Sequence, residues 1–167
     1  APTRLPAFRA ALGERQRLLG AAALLVVTAA CAWATYQPLR AANASDAALI
    51  ALESGEIDEA RDLITKATDI DPVTVEPLFN LAVIEATAKR PDAARGALER
   101  AVALQPENPT TWLRLAEYDA GQGDLKGAIA ALRPALYLDP KNTNAVSLFL
   151  DVTRQAATPS APATPTP

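Results

Sequence analysis

The strongest signal in this sequence is a period of 34 residues. Pro72, Pro106 and Pro140 are spaced by 34 and close the similar phrases DIDP, ALQP and YLDP. Alanines lie twelve and five residues before each proline: Ala60, Ala94, Ala128, Ala67, Ala101 and Ala135. Proline cannot donate a backbone hydrogen bond and restricts the residue before it, so it ends a helix. The pattern therefore predicts stacked pairs of antiparallel helices, with alanine where two helices cross closely.

The residues between these fixed points resemble the tetratricopeptide repeat, whose period is 34 residues. The resemblance covers residues 41 to about 142, with a partial fourth unit to about 155. The third unit matches most fully, with Trp112, Leu115, Ala116, Gly123, Ala128, Leu132, Ala135 and Pro140. The second unit carries Leu78, Leu81, Ala82, Ala94, Leu98 and Ala101. The resemblance implies an all-α fold, an α-solenoid of about three helix pairs plus a C-terminal capping helix.

The chain is predicted to divide into four regions. These are a flank at residues 1–17, a transmembrane helix at 18–39, the repeat domain at 41–155 and a disordered Pro/Ala/Thr tail at 156–167. Within the repeats we expect helices at about 41–53, 57–69, 75–88, 92–104, 110–120 and 125–138. Residues 143–155 are predicted to cap the stack, with Val146, Phe149, Leu150 and Val152 on the apolar face. Pro134 is expected to bend its helix.

Residues 18–39 form a stretch of 22 residues without a charge. This length is enough to span the hydrocarbon core of a bilayer, and Trp33 and Tyr36 suit a membrane interface. We therefore expect a transmembrane helix. The alternatives are a buried helix of a soluble domain, a secretory signal peptide cleaved after an A-x-A site, and a lipoprotein signal ending at Cys31. Within a span, Cys31 is a small apolar residue.

The charge around this stretch predicts its orientation. Residues 1–40 hold five arginines against one glutamate, a net charge of +4, whereas residues 41–155 hold 11 basic against 18 acidic residues, a net charge of −7. Because positive flanks stay in the cytoplasm, residues 1–17 are predicted to be cytoplasmic and the repeats extracytoplasmic. The chain contains no methionine, so we expect it to be a fragment or a processed product.

The composition excludes several kinds of chemistry. With no histidine and one cysteine, the chain cannot assemble a disulfide framework, a zinc cluster or a histidine-activated nucleophile. Neighbouring acids such as Glu56, Asp58 and Glu59, or Glu117 and Asp119, can serve acid–base catalysis, but on repeat helices they indicate a solvated face. The acidic repeats also lack the clustered Lys and Arg of a nucleic-acid-binding surface. We therefore predict no enzyme activity, cofactor, metal or nucleic-acid partner for this chain.

By resemblance to the family, the binding surface is a concave groove lined mainly by the first helix of each pair. The candidate partner-binding residues are Asp46, Leu49, Glu53, Glu76, Phe79, Asn80, Val83, Leu113, Arg114, Glu117, Ser147 and Asp151. Family members that clamp a partner's C-terminal carboxylate use several Lys, Arg and Asn here, whereas Arg114 and Asn80 stand nearly alone. The predicted partner is a protein or peptide with a basic or apolar segment.

Three longer phrases carry a narrower resemblance. They are YQPLRAANASDAAL at 36–49, VEPLFNLAVIEATAKRPDAARGALERAVALQPENPTTWLRLAEYDAG at 75–121 and AALRPALYLDPKN at 130–142. They are similar to the C-terminal region of actinobacterial O-antigen ligase or polymerase-like membrane proteins, where a last membrane helix leads into tetratricopeptide repeats. Two functions are therefore predicted. One is a membrane-anchored protein-interaction module at the bacterial cell envelope, and the other is an appendage of a glycan-transferring membrane enzyme.

Overall fold

The computed structural model describes residues 14–158, with side chains at 18–33 and 39–158. This part of the chain is all-α, as predicted. Its seven helices are α1 (Glu14–Glu53), α2 (Ile57–Ile70), α3 (Glu76–Thr87), α4 (Pro91–Leu104), α5 (Pro109–Gly121), α6 (Leu125–Leu138) and α7 (Thr143–Ala157). The bounds of α2 to α7 agree with the predicted helices to within one or two residues. Most of the predicted tail, at 159–167, lies outside the described residues.

The chain divides into two compact units, residues 1–39 and 40–167. In the first unit, the large apolar side chains of α1 between Leu18 and Trp33 are 58% to 70% exposed. Across the described residues, we find no helix whose length and apolar character together suffice to cross a membrane. The prediction of a transmembrane helix at 18–39 is therefore not supported by the structure.

In the second unit, the alanines of the 34-residue period are among the most completely buried residues. Ala60, Ala94 and Ala128 near the start of the second helices are each 0% exposed. The alanines seven residues further on, Ala67, Ala101 and Ala135, are at most 1% exposed. Burial this complete confirms that alanine occupies the close helix crossings. A larger side chain there has no free space, since protein interiors pack at crystal-like density.

Each second helix stops in the same way. The residue before the proline, Asp71, Gln105 or Asp139, donates its backbone N–H to the carbonyl of the alanine four residues earlier, at 3.1, 3.0 and 2.9 Å. The proline that follows has no N–H with which to continue the ladder. Pro134 lies inside α6, which runs from Leu125 to Leu138, and the bend expected there stays a prediction.

The core of the second unit is a stack of helix pairs with two apolar clusters. The larger cluster joins α3, α4, α5, α6 and α7 and includes Leu78, Leu98, Leu115 and Leu132. The smaller cluster joins the end of α1 to α2 and α3 around Ile64 and Ile84. Leu81 packs against both clusters. The apolar core is therefore continuous along the stack, as expected of an α-solenoid.

The buried face of α7 differs from the predicted one. Ala145 and Val152 are buried, and Leu148 and Phe149 pack against the larger cluster. Val146 and Leu150, predicted to face the core, are 39% and 55% exposed. The period gives the reason. Leu150 is the counterpart of Ala116 and Ala82, which are buried in complete helix pairs, whereas no second helix follows α7 among the described residues.

Candidate binding groove

A pocket of about 560 Å³ lies between α3 and α5. Its walls are formed by side chains of these two first helices, and its floor reaches Leu98 of α4. The lining residues are Glu76, Phe79, Asn80, Ala82, Val83, Ala86, Thr87, Leu98, Arg114, Glu117 and Tyr118. Half of the predicted partner-binding residues are among them: Glu76, Phe79, Asn80, Val83, Arg114 and Glu117. The period brings these residues together, since Asn80 and Arg114, and Val83 and Glu117, are 34 residues apart.

The start of α5 is fixed by polar contacts with the turn between α4 and α5. The Asn108 side chain accepts a hydrogen bond from the backbone N–H of Thr110 at 3.0 Å, which caps α5. The hydroxyl of Thr111, 0% exposed, donates to the carbonyls of Gln105 and Asn108 at 3.1 and 2.8 Å. The indole N–H of Trp112 donates to the carbonyl of Pro106 at 2.8 Å. These contacts position the start of the helix that forms one wall of the pocket.

The one basic residue lining this pocket is already engaged by its neighbours. Arg114 forms an ion pair with Glu117 at 3.6 Å. Its guanidinium also lies 5.9 Å from the centre of the Phe79 ring, within range of a cation–π interaction. Glu76, at the start of α3, takes part in no ion pair among the described residues. The pocket therefore offers an apolar floor and a net negative rim.

A second, smaller pocket of about 290 Å³ adjoins the first, because Ala86 and Tyr118 line both. Its other lining residues are Lys89, Pro91 and Gln122. The Tyr118 hydroxyl donates to the Pro91 carbonyl at 3.0 Å. Burial raises the pKa of Tyr118, and the negative charges of Asp119 and Asp92 raise it further. We refer to the two pockets together as the groove.

The other predicted partner-binding residues lie away from these pockets. Leu113 is buried in the larger apolar cluster. Asp46, Leu49 and Glu53 belong to the end of α1, where Asp46 and Glu53 are exposed. Ser147 and Asp151 are exposed on α7, where Asp151 pairs with Arg154 at 3.4 Å. Their part in partner binding stays a prediction.

A repeated ion pair between neighbouring helix pairs was not predicted. Arg61 of α2 donates to both carboxylate oxygens of Glu85 on α3, at 2.6 and 3.4 Å. One period later, Arg95 of α4 donates in the same way to Asp119 on α5, at 2.9 and 3.2 Å. The acidic side chains are only 8% and 2% exposed. Aligning the units at their 34-residue spacing would have shown an arginine and an acid recurring together.

These contacts also place the acids considered for catalysis. Asp119 is bound to Arg95, and Glu117 to Arg114, so the two carboxylates do not form an acid–base pair. A hydrogen bond shared with Glu56 raises the pKa of Glu59, on the exposed surface of α2. Within residues 14–158, no group of acidic or cysteine side chains is placed to hold a metal ion.

Two profiles of the tetratricopeptide repeat match this chain, at residues 45–109 and 85–149. Together they cover more than half of its length. The chain belongs to the tetratricopeptide repeat family. Repeat domains of this family bind peptides and are not themselves enzymes, which supports the prediction that this fragment is not an enzyme. A relative, ETO1-like protein 2 of Arabidopsis thaliana, is 32% identical over 94 residues, covering 56% of this chain but only 10% of that protein.

Solved structures of tetratricopeptide repeat domains share the fold. The first such domain of human RPAP3 is 24% identical, with a TM-score of 0.60 over 72% of this chain and 94% of that one. The corresponding domain of Spaghetti (RPAP3), bound to the HSP90 peptide SRMEEVD, is 23% identical with a TM-score of 0.59, over 72% and 95%. The Yersinia enterocolitica chaperone SycD, in complex with a YopD peptide, is 16% identical with a TM-score of 0.56, over 68% and 92%. The narrower resemblance to O-antigen ligase-like proteins finds no support in these comparisons.

Proposed function

We propose that this domain binds a basic or apolar segment of a partner protein in the groove between α3 and α5. The observation that carries the proposal is the pocket itself, whose floor is apolar and whose rim is acidic. The similar domains of Spaghetti (RPAP3) and SycD were solved with peptides bound, which supports a peptide as the class of ligand. Solenoids of this family offer such surfaces because helix pairs stack with a small rotation between them.

The electrostatics of the groove favour a different segment from the acidic peptide SRMEEVD bound by Spaghetti. In the larger pocket, holding a carboxylate requires a basic side chain that is available, yet Arg114, its one basic lining residue, already pairs with Glu117 and lies over the Phe79 ring. Glu76 would repel an acidic residue at its end of that pocket. Since exposed charges are screened by salt, the affinity for a basic segment should fall as ionic strength rises.

The test is a peptide array probed with wild-type protein and with a groove variant. Val83 is 52% exposed and lines the pocket, so Val83→Arg should add bulk and positive charge without disturbing the core. We expect it to weaken binding to basic and apolar segments by about tenfold, in line with the loss of a contact at the centre of an interface. The matched control is Val73→Arg, because Val73 is 68% exposed and lies outside the groove. Equal binding by wild type and Val83→Arg would place the site elsewhere.

We also propose that the uncharged stretch at 18–39 holds this module at a membrane, with the repeats outside the cytoplasm. Exposed apolar side chains from Leu18 to Trp33 support an apolar environment for this segment, and the arginine-rich flank before it supports the orientation. We expect the protein to stay with the membranes after alkaline carbonate extraction, which distinguishes an inserted from a peripheral segment. Release of the protein into the soluble fraction under ordinary buffer would contradict the proposal.

The orientation is tested by thiol labelling in a Cys31→Ser background. Lys126→Cys and Lys141→Cys place thiols on exposed positions of the repeat unit. A membrane-impermeant reagent should label them in intact cells. Labelling only after lysis would place the repeats in the cytoplasm.

The alternative function, an appendage of a glycan-transferring membrane enzyme, is favoured by the three phrases at 36–49, 75–121 and 130–142. The full reading frame decides between the two. Ten or more upstream membrane spans would favour the enzyme appendage, and a start codon just before residue 1 would favour the separate module.

A further inference from the structure

The two ends of the groove carry opposite charges. Glu76 stands at one end, at the start of α3, and Lys89 stands at the other end, in the turn after α3. Both side chains are exposed, and neither takes part in an ion pair among the described residues. The two charges between them, Arg114 and Glu117, pair with each other. A ligand therefore meets one unpaired negative charge and one unpaired positive charge at opposite ends.

The middle of the groove is apolar. Phe79, Val83, Leu98 and Tyr118 line the larger pocket there. At about 560 Å³ it has room for a leucine-sized or aromatic side chain. The Tyr118 hydroxyl, bound to the Pro91 carbonyl, presents the ring at the point where the two pockets meet. An apolar ligand side chain would bury its surface in this section, away from both charged ends.

The length of α3 fixes the spacing between the two charged ends. With a rise of about 1.5 Å per residue, Glu76 and Lys89 are about 20 Å apart along the helix direction. An extended chain, at about 3.3 Å per residue, covers this distance in about six steps. Seven residues of an extended ligand would therefore reach from one charge to the other.

We propose that the groove recognises a mixed-charge segment of about seven residues, with a basic residue opposite Glu76, an apolar residue in the α3–α5 pocket and an acidic residue opposite Lys89. This inference rests on the proposed function and adds the order and spacing of the ligand's charges. The ligand backbone can run in either direction, because the charges of the groove decide which end residue of the ligand lies opposite Glu76.

Three capped seven-residue peptides test the charge order. Each has leucine at its centre and alanine between, and they differ only in their end residues: lysine and glutamate, two lysines, or two glutamates. Fluorescence anisotropy with the full 167-residue chain at low salt gives the affinities. We expect the mixed peptide to bind about three- to tenfold more tightly than either like-charged peptide, the range expected for gaining exposed ion pairs.

Charge-reversing variants should change the ranking in opposite ways. Glu76→Lys makes both groove ends positive, so the peptide with two glutamates should become the best ligand. Lys89→Glu makes both ends negative and should favour the peptide with two lysines. Glu107→Lys and Lys141→Glu make the same charge changes at exposed positions outside the groove and should leave the ranking unchanged. Far-UV circular dichroism checks that all variants fold alike.

The outcomes separate this inference from the proposed function. Equal binding of the three peptides, or a ranking that neither Glu76→Lys nor Lys89→Glu alters, would overturn the charge order while peptide binding stands. If array segments bind but none of the three peptides does, the charge order is also overturned while peptide binding stands. If no array segment binds at all, the proposed function fails together with the inference.

Discussion

The ion pair between Arg95 and Asp119 gives the sharpest test of what joins one helix pair to the next. Both carboxylate oxygens accept hydrogen bonds from the guanidinium, at 2.9 and 3.2 Å. The Asp119 side chain is 2% exposed, whereas that of Arg95 is 41% exposed. Asp119 is the most deeply buried charge in this contact. The folded state therefore depends on Arg95 to compensate the buried charge of Asp119.

Removing Arg95 should destabilise the domain strongly. Arg95→Ile leaves a buried carboxylate without its partner, a change that typically costs about 3–5 kcal/mol in a fully buried pair. Because Arg95 is partly exposed, solvent compensates for some of this loss, and we expect about 2–3 kcal/mol. The control is Arg100→Ile on the same helix. Arg100 is exposed and takes part in no ion pair among the described residues, so its replacement should change stability by less than about 0.5 kcal/mol.

The chain itself supplies the compensating substitution. One period after Arg95 and Asp119 stand Ile129 and Thr153, both half-buried. The double variant Arg95→Ile with Asp119→Thr therefore copies the residues at the corresponding positions of α6 and α7, one period later. Replacing a buried ion pair by residues of lower polarity is often neutral, so the double variant should lie within about 1 kcal/mol of wild type.

The measurement is a double-mutant cycle by urea unfolding, followed by far-UV circular dichroism. The free energies of unfolding of wild type, both single variants and the double variant give the coupling between the two residues. We expect a coupling of at least about 1 kcal/mol, typical of residues in direct contact. Strictly additive losses would show that Arg95 and Asp119 do not depend on each other, and the account of the repeat interface would be wrong.

Two further predictions concern the packing and ionisation of the same domain. Ala94→Leu and Ala101→Leu each place three extra carbons at a position that is 0% exposed, and each should lower the free energy of unfolding in urea by about 1–3 kcal/mol through overpacking. The control is Ala93→Leu at an exposed position of the same helix. Equal stability of all three variants would contradict the register. The pKa of Tyr118 is raised in the folded state, so its contribution to stability is fully present below about pH 10, the ordinary pKa of tyrosine, and is lost as pH rises through the higher pKa of the folded protein. The stability of wild type relative to Tyr118→Phe should therefore fall as the pH rises above about 10, and a difference in melting temperature that stays constant from pH 8 upward would refute this.

The helix boundaries were predictable because local chemistry sets them. Each second helix ends at a proline, which acts on its neighbours wherever the rest of the chain lies. The close crossings were also predictable, since alanine recurs there at a fixed spacing. Which side of α7 is exposed was not predictable from the sequence. Val146 and Leu150 have helical spacing with the buried residues, and they are uncovered because no second helix follows α7 within residues 14–158.

The candidate site was predictable only where its residues lie on the first helices. Glu76, Phe79 and Val83 follow from the repeat register, as does Arg114. Leu98 was missed as part of the site because it reaches the pocket from α4, a second helix. The engagement of Arg114 by Glu117 and Phe79 is set by side-chain geometry, which a sequence pattern does not contain.

The groove and the ion pair are physically linked through α5. Glu117 faces the pocket, and Asp119, two residues later, is buried against Arg95 of α4. A shift of α5 that follows loss of the ion pair would also displace Arg114, Glu117 and Tyr118, which line the groove. Arg95→Ile should therefore weaken peptide binding although Arg95 does not line the pocket, and adding Asp119→Thr should restore it. If Arg95→Ile binds peptide as wild type does while its stability falls, α5 keeps its position without the ion pair, and the pair serves stability alone.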